Sequence, residues 1–220
     1  MNTKIKILLT GIVIILIPIG STFSQTVYNL PFASSNNRIE LTVTNSSAIM
    51  AKNVTVAVDS LPVWIKMKEE NVSAGELTPK SEKAVTFSFD VDKKAPVGKQ
   101  GVIKFRVRSQ SGEQWSKEIK VIAGAPDKFE LFQNYPNPFN PTTIISYQLP
   151  SDSKVLIKIY DILGKEVTTL FDGAQKAGYY ENIFNANRIA SGMYIYRLTA
   201  KSTDGKLKEY NSIKKMMVLK

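Results

Sequence analysis

The chain has 220 residues, 43% hydrophobic and 22% charged, the balance of a folded protein with enough length for two small domains. Cysteine and histidine are both absent, which excludes disulfides, thiolate nucleophiles, the usual hydrolytic triads and the usual zinc and copper ligands, so neither a cofactor nor a metal is expected. The formal charge of +10 comes from single cations with acids between them; without a basic stripe and stacking aromatics it argues against nucleic acid and leaves attraction to an anionic cell-surface polymer.

Residues 1–24 begin with Lys4 and Lys6, continue as an apolar run interrupted by Pro18, and end in small polar residues. This is the layout of a secretory signal peptide. The run is shorter than the ~20 residues that carry a helix across a membrane. With Thr22 and Ser24 as the small residues before the cut, cleavage is expected between Ser24 and Gln25, leaving no transmembrane segment in the mature chain.

Residues 25–124 alternate in polarity, which gives each strand one apolar face. Ile39, Leu41 and Val43 alternate with polar neighbours, as do Val54, Val56 and Val58, then Val85, Phe87, Phe89 and Val91, then Ile103, Phe105 and Val107. A last strand carries Trp115, Ile119 and Val121. Turn chemistry separates the runs at Asn45-Ser46-Ser47, Ser73-Ala74-Gly75, Ala95-Pro96-Val97-Gly98 and Ser109-Gln110-Ser111-Gly112. About seven short strands without an amphipathic helix predict an all-β, immunoglobulin-like sandwich. The order Thr44-Asn45, Leu61-Pro62-Val63-Trp64, Gly75-Glu76-Leu77-Thr78-Pro79, Ala95-Pro96-Val97-Gly98 resembles the immunoglobulin-like accessory modules of bacterial exoproteins. That resemblance implies a spacer or interaction platform.

The carboxylates of this segment make a poor hydrolase. Glu69 and Glu70 point to opposite sides of an extended chain and Asp90 and Asp92 end the solvent face of a strand, so neither pair reads as glycosidase acid and base, and two carboxylates are too few for calcium. Trp64 and Trp115 are expected in the core, as aromatics at inward positions of a sandwich are, with stacking on a sugar as the competing role.

Residues 122–127, Ile-Ala-Gly-Ala-Pro-Asp, read as a linker, with Gly124 as a candidate processing position before a second domain at 125–220. Asn134-Tyr135-Pro136-Asn137-Pro138-Phe139-Asn140-Pro141 opens that domain. Its three prolines remove N–H donors and push the residues before them out of the helical region, so the segment must be extended and turn-rich. Strands follow around Ile144, Val155 and Glu166, with a turn at Asp161-Ile162-Leu163-Gly164, and later around Tyr179 and Met193. Asp204-Gly205 is a hairpin signal, and the chain closes on Lys214-Lys215-Met216-Met217-Val218-Leu219-Lys220. These features predict a second small β-sandwich.

Several motifs in this half carry a family resemblance: 132–141, then Tyr160-Asp161-Ile162-Leu163-Gly164, Ala177-Gly178-Tyr179, Ser191-Gly192-Met193-Tyr194, and Lys214, Lys215, Met217, Val218 and Lys220 at the end. Over 129–220 they resemble the C-terminal sorting domain, type A, of the type IX secretion system. Where that family has Trp-Asn-Gly or Trp-Asp-Gly, this chain has Phe184-Asn185-Ala186. The resemblance implies passage through the periplasm, recognition by the type IX translocon, and removal of the domain by a sortase-like protease. Attachment to an anionic lipopolysaccharide, or release, would follow. It also implies that the terminal basic strand is needed for recognition, and an end strand with cationic side chains could pair with a receptor edge. The expected product is a non-catalytic surface or extracellular protein whose first domain spaces or binds, an extracellular polysaccharide being one partner; the alternative is an accessory subunit or remnant of a secreted glycosidase or protease.

Overall fold

Alternating polarity becomes sheet wherever one face can be buried, and it organises both units among the described residues. The computed structural model describes the backbone of residues 4–10, and residues 26–112 and 114–220. The expected cleavage at Ser24 and Gln25, with most of the leader, lies outside the described residues. The described chain is all-β and divides into two units, Met1–Gly124 and Ala125–Lys220.

In the first unit the strands are β1 (Lys4–Thr10), β2 (Val27–Leu30), β3 (Asn37–Thr44), β4 (Ala51–Ser60), β5 (Ile65–Met67), β6 (Asn71–Leu77), β7 (Glu82–Val91), β8 (Gln100–Arg108) and β9 (Gln114–Ala123). They form a four-stranded sheet, β1-β3-β7-β5, and a five-stranded sheet, β2-β9-β8-β4-β6. Strands β1 and β2 pair in parallel with β3 and β9, and the remaining pairs are antiparallel. The inward residues of both sheets make one core. At its centre Phe87 of β7 meets Phe105 of β8 with ring centroids 4.9 Å apart, both fully buried. Asn45, also buried, ties the loop after β3 to the end of β6: its Nδ2 donates to the carbonyls of Ile49 at 2.8 Å and Leu77 at 2.9 Å.

Two sequence expectations change here. Ser73-Ala74-Gly75 is not a turn but part of β6, where Ala74 is fully buried and Gly75 takes φ +73° beside a register shift against β4. A bulge uses the same glycine freedom as a turn, so the residue types do not separate the two. Residues Ile122 and Ala123 are not linker but the end of β9, paired with Asn29 and Leu30 of β2.

The second unit contains β10 (Glu130–Leu131), β11 (Thr142–Leu149), β12 (Ser153–Tyr160), β13 (Glu166–Gln175), β14 (Gly178–Asn185), β15 (Gly192–Ser202) and β16 (Tyr210–Val218). Sheets β10-β11-β14 and β13-β12-β15-β16 face each other across a core that includes Tyr147, Ile157, Tyr196 and Leu198. The turn into β13 is set by Asp161, whose carboxylate accepts from the N–H groups of Leu163 at 2.9 Å and Lys165 at 3.0 Å. Gly164 supplies the positive φ of +82° that this turn needs. Strand β13 runs on through Gly173, which pairs with Val155, so that glycine is sheet rather than the loop its type suggests.

Candidate functional site

The two ends of the second unit meet on one strand edge. In β16 burial alternates so that Met216 and Val218 enter the core while Ile213, Lys215 and Met217 face outward. One edge of β16 pairs with β15 from Gly192↔Val218 to Ala200↔Tyr210. The other edge is covered from Lys215 onward by the proline-asparagine segment. Asn137 Oδ1 accepts from the Met217 N–H at 2.9 Å, the Phe139 N–H donates to the Met217 carbonyl at 3.0 Å, and the Leu219 N–H donates to the Phe139 carbonyl at 3.0 Å. Gln133 Nε2 donates to the Lys215 carbonyl at 2.7 Å. An extended segment that cannot donate at its prolines thus closes an edge with its asparagine side chain and its few free N–H groups.

The segment is itself anchored from below. Asn134, 2% exposed, donates through Nδ2 to Thr143 Oγ1 at 2.9 Å and to the Pro136 carbonyl at 3.0 Å, and Thr143 Oγ1 donates to the same carbonyl at 2.7 Å. Tyr135 exchanges two backbone hydrogen bonds with Ile144, leaving its ring 79% exposed. Phe139 is buried, its ring 6.1 Å from that of Phe184. Beyond Phe184, Ala186 donates its N–H to the Pro141 carbonyl at 2.8 Å. Ala186 is not among the residues with positive φ, so alanine fits where the family pattern has glycine.

Tyr196 fastens the segment to the opposite sheet. Its hydroxyl donates to the Phe132 carbonyl at 2.9 Å and accepts from the Asn134 N–H at 2.8 Å. Burial pushes the phenol up to about 12 from an ordinary 10.0, against the lowering effect of the Asn134 N–H. An acid whose folded pKa is raised ionises first in the unfolded chain. The contribution is therefore intact below pH 10 and lost as pH rises toward about 12. Tyr196→Phe should cost about 1–3 kcal/mol at neutral pH by stranding the Asn134 N–H and Phe132 carbonyl, and should flatten the alkaline fall in stability measured by denaturant unfolding across that window.

The remaining family-like positions gather near the chain end or hold turns. Ser191 Oγ accepts from the Lys220 N–H at 3.1 Å, Lys220 Nζ donates to the Asn187 carbonyl at 3.1 Å, and the Tyr194 hydroxyl donates to the Ala190 carbonyl at 3.0 Å. Gly192 and Val218 face each other in the ladder, and Lys214 lies opposite Tyr196. Tyr160 and Asp161, with Gly164, end β12 at its turn, and Gly178 opens β14. The sequence expects the last strand to offer a free edge to a receptor; at Lys215 and Met217 that edge is already occupied.

The first unit offers a cleft of ≈ 610 Å³ whose lining includes Pro62, Trp64, Lys94, Lys99 and Gly101. Val63 at its rim is 97% exposed, while Trp64 is only 7% exposed and belongs to the core, the first of its two expected places. Trp115 packs half-buried against the same core, its indole nitrogen buried without a hydrogen-bond partner. Gly101 forms the close approach beneath the cleft: a Cβ there would lie 2.6 Å from Pro62 Cγ and 3.0 Å from Trp64 Cζ2. Gly101→Val should cost about 1–3 kcal/mol through overpacking, read as a lower denaturation midpoint.

Three of the four carboxylates weighed for catalysis or calcium are engaged locally. Glu69 accepts from the Ser88 N–H at 2.8 Å, Asp90 from the Asn36 N–H at 2.7 Å and Asp92 from the Lys94 N–H at 2.8 Å. Gly124, expected as a processing position, donates its N–H to the Leu30 carbonyl at 2.8 Å, which ties its backbone to β2; Asp127 and Lys128 beyond it are exposed.

Comparison with known proteins bears on the second unit. Residues 133–210 match the family described as the secretion system C-terminal sorting domain. No curated protein matches the chain. Among solved structures the chain is similar to dimeric latent PorU from Porphyromonas gingivalis, at 16% identity and TM-score 0.35, covering 91% of this chain and 19% of that one. It is also similar to CopC from Methylosinus trichosporium OB3b, at 19% identity and TM-score 0.30, covering 41% and 93% of the two chains. The E. coli chaperone DraB follows at 14% and 0.29, covering 88% and 94%. The family match starts at Gln133, where the segment covering β16 begins, and ends at Tyr210, where β16 itself starts. The second unit of this chain carries a C-terminal sorting domain of the type IX secretion system.

Proposed function

We propose that the protein is a non-catalytic exported module: the second unit addresses it to the type IX translocon, a sortase-like protease removes that unit, and the first unit remains at the cell surface or in the medium as a binding module. The family match over 133–210 carries the sorting part. The closed edge of β16 supports a folded rather than a linear address, because the terminal residues are held by hydrogen bonds from 133, 137 and 139. The absence of histidine and cysteine from the sequence and the local engagement of Glu69, Asp90 and Asp92 favour binding over turnover.

For the first unit, the cleft, where Lys94 and Lys99 outnumber the one carboxylate Asp92 and Val63 is exposed, favours an anionic extracellular polymer such as an acidic polysaccharide. Fractionation of native cells with intact-mass measurement tests the whole reading. It expects a surface or medium product ending between residues 124 and 129. A chain retained in the periplasm and still reaching Lys220 would refute it. Lys99→Glu should weaken retention on an acidic polysaccharide column about tenfold, one lost charge contact being worth on the order of 1.4 kcal/mol; unchanged retention would move the binding surface elsewhere.

A further inference from the structure

The outer face of the sheet β13-β12-β15-β16 sets like charges opposite one another, with Glu166 and Asp172 near Lys158. The register sets Lys154 opposite Lys201 and Lys158 opposite Arg197 on neighbouring strands. Like charges directly opposite one another destabilise a sheet. Lys158 is relieved by Glu166 at 2.7 Å, whereas Arg197 donates only to the neutral Asn211 side chain at 2.8 Å. Among the described residues Lys154 and Lys201 have no carboxylate partner, and both are exposed. Lys215 extends the charge onto β16, opposite Ile195.

Apolar side chains are set among these cations. On the same alternation Met193 is 44% and Ile213 60% exposed, and Leu156 and Ile195 are half-buried. A face that binds a polyanion alone needs cations and no apolar groups, whereas a protein interface sets an apolar patch within a polar, charged rim. Exposed cations with apolar neighbours therefore fit a protein surface that is acidic and partly apolar.

We propose that this sheet face docks an acidic protein component of the export machinery, whose carboxylates neutralise Lys154, Lys201 and Arg197 while its apolar groups cover Ile195 and Ile213. The inference rests on the sorting reading and adds the surface and the chemistry of the partner. The edge of β16 is closed at Lys215 and Met217, so on that stretch recognition runs through the side chains of the face instead of through strand addition.

Charge reversal separates docking from folding. Lys201→Glu in the full chain turns a like-charge pair into an attractive one. Hydrogen exchange of the β12 and β15 amides should therefore slow or stay unchanged, while export from a type IX-competent bacterium falls about tenfold. The doubly reversed Lys154→Glu/Lys201→Glu chain should be exported less still. Normal export of the double variant, with the wild-type chain exported, would overturn the docking face and leave the sorting reading standing. Faster exchange in Lys201→Glu accompanying the export defect would assign the pair a structural role and overturn the proposal. Export into the medium with loss of surface retention alone would assign the face to an anionic surface polymer and overturn the protein partner. A wild-type chain that never leaves the cell would overturn the sorting reading itself.

Discussion

Phe139→Ala is expected to destabilise the second unit by about 3–5 kcal/mol, the range for deleting a buried phenylalanine ring. Phe139 is 2% exposed, packs against Phe184, and carries both backbone bonds that hold Met217 and Leu219. Loss of the ring should loosen the segment and uncover the outer edge of β16 together. Denaturant unfolding checks the stability, and hydrogen exchange at Met217 and Leu219 checks the mechanism: their amides should lose protection in the variant before those in the centre of β12. If their protection stays at the wild-type level while the unit is destabilised, the segment does not hold the strand and the reading of this edge is wrong. Asn137→Ala removes only the side-chain acceptor of the Met217 N–H, so it should cost about 0.5–1.5 kcal/mol and leave the core intact.

Deletion of residues 216–220 is the second large effect. Met216 and Val218 are 1% and 0% exposed. Their burial alone contributes on the order of 3–6 kcal/mol, comparable with the whole stability of a small domain. The truncated unit is expected to lose cooperative unfolding, seen as a broad transition in place of a sharp one, and the chain to lose export with it. Replacing Lys214 and Lys215 by alanine removes charge without core volume and should change stability by less than about 0.5 kcal/mol per site. A truncated chain that still unfolds cooperatively would show that the last strand is an appendage, not part of the core.

The difference between these two kinds of variant explains what the sequence could and could not reveal. Period-two alternation at Ile39, Leu41 and Val43 or at Val155, Ile157 and Ile159 states which face is buried, and the strands lie there with those faces inward. The basic ending of the chain and the prolines at 136, 138 and 141 were each legible as features. Their meeting was not, because Asn137 and Met217 are 80 residues apart and the bond between them depends on the register of a folded sandwich. Nothing local distinguishes an asparagine that closes a turn from one that closes a strand edge.

The same limit applies to glycine and tryptophan. Gly75 at a bulge and Gly173 inside β13 look like turn residues because a small residue with wide conformational freedom serves turns, bulges and close approaches alike. Trp64 reads as core before platform, but what lets the ring sink is the missing Cβ of Gly101 lying against it, which the sequence does not show. The cross-strand opposition of Lys154 and Lys201 likewise needs the register of β12 against β15, which composition does not carry.

That residues 125–220 act as a folded address can be checked by fusing this unit to a signal peptide and a stable reporter in a type IX-competent bacterium. The reporter should reach the surface or medium with the wild-type unit and stay in the periplasm with Phe139→Ala. A reporter exported equally well with Phe139→Ala, or with residues 211–220 alone, would contradict it, because the address would then be a linear segment that needs no fold.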